Sequence, residues 1–291
     1  MKHIRIISPS GAIEPQFING AHERLESWGY QVSEGRHARS SFGGLAGTDD
    51  ERLADLNEAL QDPSIDIVLC SRGGYGLCRI LDRVELNPDH VPLVVGYSDI
   101  TCLHNLMGVL GEKSLHAIMA KHITTLPDDA EPIIALRKLL EDKEVEYAVR
   151  PHDFNRIGSA SGVLRGGNLQ VGYGLRGTPF DYMDDGRTIF FMEDIHEPAH
   201  AIDRVIRSLR MSGMLEQLQG LIVGQFTDCK ENVEDLRFTI YQSIRDAVAD
   251  YDFPVCFNFP AGHVEHNLPL MLNTACSLQV NEQEVVLKVN E

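Results

Sequence analysis

The stretch Val91-Pro-Leu-Val-Val-Gly-Tyr-Ser98-Asp-Ile-Thr-Cys-Leu103 decides the architecture of this 291-residue chain. An apolar, β-branched run ends in Gly96-Tyr97-Ser98. It passes directly into a segment whose apolar residues Ile100, Leu103, Met107 and Leu110 fall on one helical face. A strand feeding a helix through a turn with a serine at its apex predicts an α/β elbow. Such a turn holds the hydroxyl clear of the backbone, where a histidine can reach it. Ser98 has a second, blander reading as the N-cap of a helix over Asp99 to Leu110, a role serine commonly plays. The two uses are compatible, because backbone N–H groups and the positive dipole end at a helix start also suit an oxyanion. Ile100 stands where a G-x-S-x-G elbow has its second glycine, so the ordinary α/β-hydrolase pattern is a poorer match.

Outward from the elbow, short strands alternate with helices. Ile4-Arg-Ile-Ile-Ser8 reads as a first strand, Phe17 to Trp28 as an amphipathic helix stopped by Gly29, and Tyr30-Gln-Val as a second strand. Thr48-Asp-Asp-Glu51 is a capping box for a helix carrying Leu53, Leu56 and Leu60, and Ile65 to Cys70 is a buried-type strand. That alternation predicts a parallel sheet covered on both faces, occupying residues 1–125. A helix at Pro132 to Asp142 and the polar stretch around Arg150-Pro-His-Asp-Phe-Asn155 mark residues 126–160 as a crossover. Residues 161–291 read as a second α/β unit. Its strands are expected at Arg187 to Met192, Leu221 to Gly224, Val255 to Phe259 and Glu284 to Val289, and its helices at Ala199 to Met211 and Val233 to Ala249.

The net charge of −17, from 43 acidic and 26 basic residues, argues against a nucleic-acid partner and lends no support to an anionic membrane. The apolar start around Ile4 is broken by Arg5 and is too short for a signal peptide. Six dispersed cysteines without a C-x-x-C pair read as buried free thiols, and cytoplasm is the consistent compartment.

Three further segments carry chemistry. Arg72-Gly73-Gly74-Tyr75-Gly76 follows a strand, and its glycines let backbone N–H groups approach a ligand closely. It reads either as a tight turn or, with the Asp99 N–H, as an oxyanion hole. The Rossmann spacing is absent. His196-Glu197-Pro198-Ala199-His200 spells H-E-x-x-H, but Pro198 prevents one helix from running through both histidines, which zinc ligation requires. No metal or cofactor is expected. The same segment offers Glu193 at a strand end as an orienting carboxylate; Asp194 competes, though alternation points it to the opposite face. Pro260-Ala-Gly-His263 presents a histidine after a strand, with His266 as its rival. In chain order Ser98, Glu193 and His263 read as nucleophile, acid and base, each beyond an expected strand, where α/β proteins often carry catalytic residues. Arg72, Tyr75 and Asn168 are the candidate substrate contacts, Arg72 because arginine pairs with carboxylates bidentately.

Six motifs taken together resemble the LD-carboxypeptidase family of serine peptidases, which includes the microcin C self-immunity peptidases. They are Ser8-Pro-Ser10-Gly, Ser71-Arg-Gly-Gly-Tyr-Gly76, Gly96-Tyr-Ser98-Asp-Ile-Thr101, Gly162-Val-Leu-Arg-Gly-Gly-Asn168-Leu, Met192-Glu193-Asp and Pro260-Ala-Gly-His263. The resemblance spans nearly the whole chain. It implies a Ser98–Glu193–His263 triad, a flavodoxin-like N-terminal domain with a β-rich, swivelling-type α/β C-terminal domain, and a homodimer. It also implies a muropeptide substrate that loses D-alanine. A peptidyl-nucleotide amide is the alternative substrate, and a non-catalytic peptide- or sugar-binding module is the alternative class. Many members carry His-Gly-Pro after the elbow helix, whereas this chain has His116-Ala117-Ile118.

Overall fold

The computed structural model describes residues 1–181, 186–231 and 237–289. Two sheets organise it. The first half contributes β1 (His3–Ile7), α1 (Pro15–Ser27), β2 (Gln31–Glu34), α2 (Asp49–Gln61), β3 (Ile67–Cys70), β4 (Leu93–Gly96), α3 (Thr101–Leu110), β5 (Ser114–His116) and α4 (Ala120–Thr125). Its strands lie in the order β2-β1-β3-β4-β5, all parallel, which is the flavodoxin-like order. All four side chains of β3, Ile-Val-Leu-Cys, are buried, as a strand covered on both faces requires. Thr48 caps α2 through the expected reciprocal box with Glu51.

The chain continues through α5 (Glu131–Leu140), β6 (Val145–Val149), β7 (Gly158–Asn168), α6 (Leu169–Gly174), β8 (Thr188–Ile195), α7 (Ala199–Met211), β9 (Gly220–Thr227) and α8 (Ile240–Ala247). Short strands close it: β10 (Val255–Cys256), β11 (Leu270–Leu272), β12 (Ala275–Val280) and β13 (Val285–Val289). The second sheet runs β10-β9-β8-β7-β12-β13-β6, with β10, β9, β8 and β7 mutually parallel and the rest antiparallel.

Sheet membership cuts across chain order. The 126–160 stretch, expected as a crossover, supplies β6 as the edge of the second sheet, paired with β13. Conversely β11, from the last quarter of the chain, pairs antiparallel with β5 and completes the first sheet. One buried apolar cluster therefore runs from Ile4 and Leu115 through Phe191 and Phe259 to Leu287. Four cysteines are buried, Cys229 is half-buried and Cys78 is exposed; all six are free thiols. Of the helix expected over 233–249, residues 233–236 lie outside the described residues.

Candidate active site

The elbow forms as its sequence dictates and then departs from a simple cap. β4 ends at Gly96, and a single 3-10 turn, Ser98–Ile100, leads into α3. Ser98 takes φ +69°, a left-handed conformation that costs a serine ~1–3 kcal/mol and persists where surrounding structure enforces it. Its side chain makes no capping bond. Instead Ser98 Oγ lies 3.0 Å from His263 Nε2, and His263 Nδ1 lies 2.7 Å from Glu193 Oε2. The three side chains thus form one hydrogen-bonded chain across 165 residues of sequence. Polarity follows from the partners: a carboxylate accepts only, so Nδ1–H donates to Glu193 and Nε2 is left to accept from the Ser98 hydroxyl.

Glu193 is wholly buried. The strand carrying it runs to Ile195, three residues beyond the expected end, so Glu193 sits inside β8 at a register irregularity between Met192 and Asp194. Bulges re-aim side chains, and this one turns Glu193 toward His263 while Asp194 faces away. Asp194 accepts from Asn168 Nδ2, Gln170 N–H and its neighbour's N–H. Burial pushes its carboxyl up to about 6, with the Glu193 charge adding to the rise and those donors opposing it.

Gly73 backs Ser98. A Cβ at Gly73 would stand 2.7 Å from Ser98 Cβ, so no larger residue fits without shifting the turn. The neighbouring loops are pinned by Asp99, whose buried carboxylate accepts from Ser10 Oγ at 2.7 Å and Leu77 N–H at 2.9 Å. Gly11 N–H donates to Gly73 O at 3.0 Å, completing the tie. The first N–H groups of the 3-10 turn have no acceptor within the turn itself, which leaves them available to an oxyanion.

His263 opens onto a cleft of about 460 Å³ beside β1, β3 and β4, at their C-terminal ends, where open α/β sheets bind ligands. Arg72, Tyr97, Lys121, His122, Glu14 and Ile195 are among its walls. Residues 4–117 match the LD-carboxypeptidase N-terminal domain and residues 161–278 match the LD-carboxypeptidase C-terminal domain. The chain belongs to the LD-carboxypeptidase family. It is therefore a serine peptidase, a hydrolase. A Bacillus subtilis protein named "Probable murein peptide carboxypeptidase" is 30% identical over 98% of this chain and 91% of its own length. The murein tetrapeptide carboxypeptidase of Pseudomonas aeruginosa is 27% identical over 91% of this chain and 89% of its own. The crystal structure of muramoyltetrapeptide carboxypeptidase from Oxalobacter formigenes superposes with a TM-score of 0.88 at 25% identity, covering 100% of this chain and 99% of that one.

Within this LD-carboxypeptidase fold the remaining candidates separate. Arg72 lines the cleft and donates to Ala12 O. Tyr75 is exposed next to Arg79 and is not a cleft wall. Asn168, expected as a substrate contact, is instead buried: it caps α6 by accepting from Val171 N–H, donates to Asp194, and its own N–H bonds Thr101 Oγ1. Both ends of its amide are thus committed, to α6 and to β8, while its backbone N–H ties β7 to the elbow helix. His196 lies before Pro198 with φ +62°, outside α7, so the two histidines of H-E-x-x-H share no helix. Ala117 and Ile118 are wholly buried in the core, and the cleft wall after them is Met119. The expected strand 255–259 shrinks to β10, leaving His263 on a loop.

Sequence reading missed Lys121, Tyr97, His116 and Asn267. Lys121 on α4 is a second cation of the cleft, and its ammonium has no partner among the described residues. Tyr97 sets its ring edge on His263 at 5.0 Å; burial, with Glu193 adding and Arg72 opposing, pushes its hydroxyl up to about 12, so it stays a neutral wall. Only its place beside Ser98 hinted at Tyr97. A lysine on an unforeseen six-residue helix gave no signal.

Proposed function

We propose that the protein removes a C-terminal D-amino acid, D-alanine in particular, from a peptidoglycan-derived tetrapeptide. The Ser98–His263–Glu193 chain, at 3.0 and 2.7 Å, is the observation that carries this reading. The carboxypeptidase names of the relatives support the substrate class.

Ser98 Oγ attacks the carbonyl carbon of the penultimate L-centre, and its proton passes to His263 Nε2. Glu193 holds the ring in the required tautomer and stabilises the imidazolium. N–H groups of Asp99 and the Gly73-Gly74 turn receive the tetrahedral oxyanion. Collapse breaks the C–N bond, His263 returns the proton to the leaving amine, and water activated by the same base frees the acyl group from Ser98. Arg72 and Lys121 flank the cleft as partners for the substrate's terminal carboxylate, which restricts cleavage to the chain end. A cytoplasmic homodimer goes with this reading, on the family resemblance, the acidic composition and the free cysteines.

Incubation with a mixed muropeptide pool, read by mass spectrometry, tests it. Loss of one alanine from tetrapeptides is expected, abolished in Ser98→Ala. Cleavage only of a peptidyl-nucleotide, or saturable binding with no product, overturns the substrate or the activity respectively. Light scattering after size exclusion reads the dimer.

A further inference from the structure

Behind the His263 ring lies a set of polar side chains that the hydrolytic relay does not use. Asn267 is wholly buried, and its Oδ1 accepts from Gly262 N–H at 2.9 Å. The peptide it holds is critically placed. Gly262 takes φ +127°, and a Cβ there would stand 2.9 Å from both Glu193 Cβ and Glu193 Oε2. The backbone at 262 therefore packs directly on the orienting carboxylate, and the next residue carries the ring. Rotation of that peptide would pull Nδ1 from Glu193 and Nε2 from Ser98 together. The loop beyond it is exposed at Glu265 and His266 and returns to the core at Leu268, whose N–H donates to Pro260 O at 2.9 Å.

The far end of the Asn267 amide, Nδ2, is buried and interacts with the His116 ring without reaching full hydrogen-bond geometry. Neither nitrogen of His116 reaches that geometry with any described residue. Its ring packs 5.0 Å from Phe191 and 5.6 Å from Tyr97, the residue that edges onto His263. Buried polar atoms without partners are costly, and native folds retain few of them. Here such weakly paired atoms cluster at the back of one histidine.

We propose that Asn267 is a positioning residue for the relay: its uncharged carboxamide fixes the Gly262 peptide, and through it the His263 ring, against Glu193. The proposal rests on His263 being the base. Neutrality matters because of what faces that ring. Glu193 approaches from β8, Ser98 and Tyr97 from the elbow, His116 from β5, Arg72 from the turn after β3, Lys121 and His122 from α4, and Glu14 from the start of α1. Glu193 is the carboxylate bonded to the ring, and burial keeps His116 neutral. An aspartate at 267 would keep the acceptor for Gly262 but put a second negative charge behind the imidazole, favouring its protonated form.

Two variants separate geometry from charge. N267L removes the acceptor at similar volume and is expected to lower kcat by roughly 10- to 100-fold with KM changed less than about threefold. N267D is expected to move the acid limb of kcat/KM to higher pH by about half a unit or more. H266A, at the exposed histidine paired with Glu131, serves as control and leaves both unchanged. Rates are counted per folded molecule. Wild-type kcat in N267L, or an N267D profile superimposable on wild type, overturns the proposal; if N267L does not fold, the N267D limb decides alone. Should H263A retain turnover, the assignment of the base falls. Inactive S98A and H263A beside wild-type behaviour at 267 sink only the role of Asn267.

Discussion

The two sheets deliver the three hydrogen-bonded side chains by opposite means. The first is parallel and regular, and spends its irregularity at one residue, Ser98, held at φ +69° just past β4. The second keeps its acid inside a strand and re-aims it with a shift of register at Glu193, then hangs its histidine on a loop. Ser98 is thus placed by the backbone of its own turn, whereas Glu193 and His263 are placed by packing between distant segments. Local geometry is robust to changes elsewhere in the fold; packed geometry is only as good as its supports.

The sharpest way to break that contrast is to delete each group in turn. Ser98→Ala and His263→Ala are expected to cut turnover by roughly 10⁴- to 10⁶-fold, and Glu193→Gln by about 10⁴-fold with the fold intact, all read by release of the D-amino acid. Near-normal turnover in Glu193→Gln would mean that the packed half does not orient the base. Gly73→Ala probes the local half. Its methyl would press on Ser98 Cβ, so kcat should fall by about 10²- to 10³-fold, the scale of a lost oxyanion donor, alongside an overpacking cost of ~1–3 kcal/mol that lowers the melting temperature without unfolding the protein. A loss of folding instead of rate would shift the elbow's rigidity from site to scaffold.

Substrate ends sharpen the comparison further. Arg72→Gln and Lys121→Met should each raise KM for a tetrapeptide acid by roughly 10- to 100-fold, as lost charge-assisted hydrogen bonds do, and leave its C-terminal amide unaffected. Equal losses on both substrates would remove these cations from carboxylate recognition.

The mildest effect lies beneath the first sheet. His104 is wholly buried, its Nε2–H donates to Gly96 O at 3.0 Å, and burial pulls its pKa down to about 4. A histidine whose folded pKa is lowered stabilises the fold fully above its unfolded value, near 6.5, and loses that contribution as pH falls toward the folded value. Stability measured by urea should therefore drop between pH 6.5 and 4, by on the order of 3 kcal/mol from this group, and less in His104→Gln. A flat profile over that range would show that His104 is not held neutral.

The first sheet was largely legible because its signals are local: an apolar strand, a capping box, a turn at Ser98. The hydrogen-bonded chain was legible in its parts, since Ser98, Glu193 and His263 each follow or end an apolar run. What escaped was pairing at long range. Three residues at Leu270–Leu272 carry no mark that they will join β5, and Val145–Val149 none that it will border β13. Asn168 misled because an asparagine after two glycines looks like a ligand contact, while its amide is consumed by α6 and Asp194. Asn267 gave no signal, because burial of a loop amide depends on the whole fold.

The late strand β11 has a temporal consequence. On the ribosome Ser98 emerges long before its hydrogen-bond partner His263, and the edge of β5 stays unpaired until residues 270–272 arrive. A nascent or truncated polypeptide would carry a silent hydroxyl and a bare, sticky β-edge.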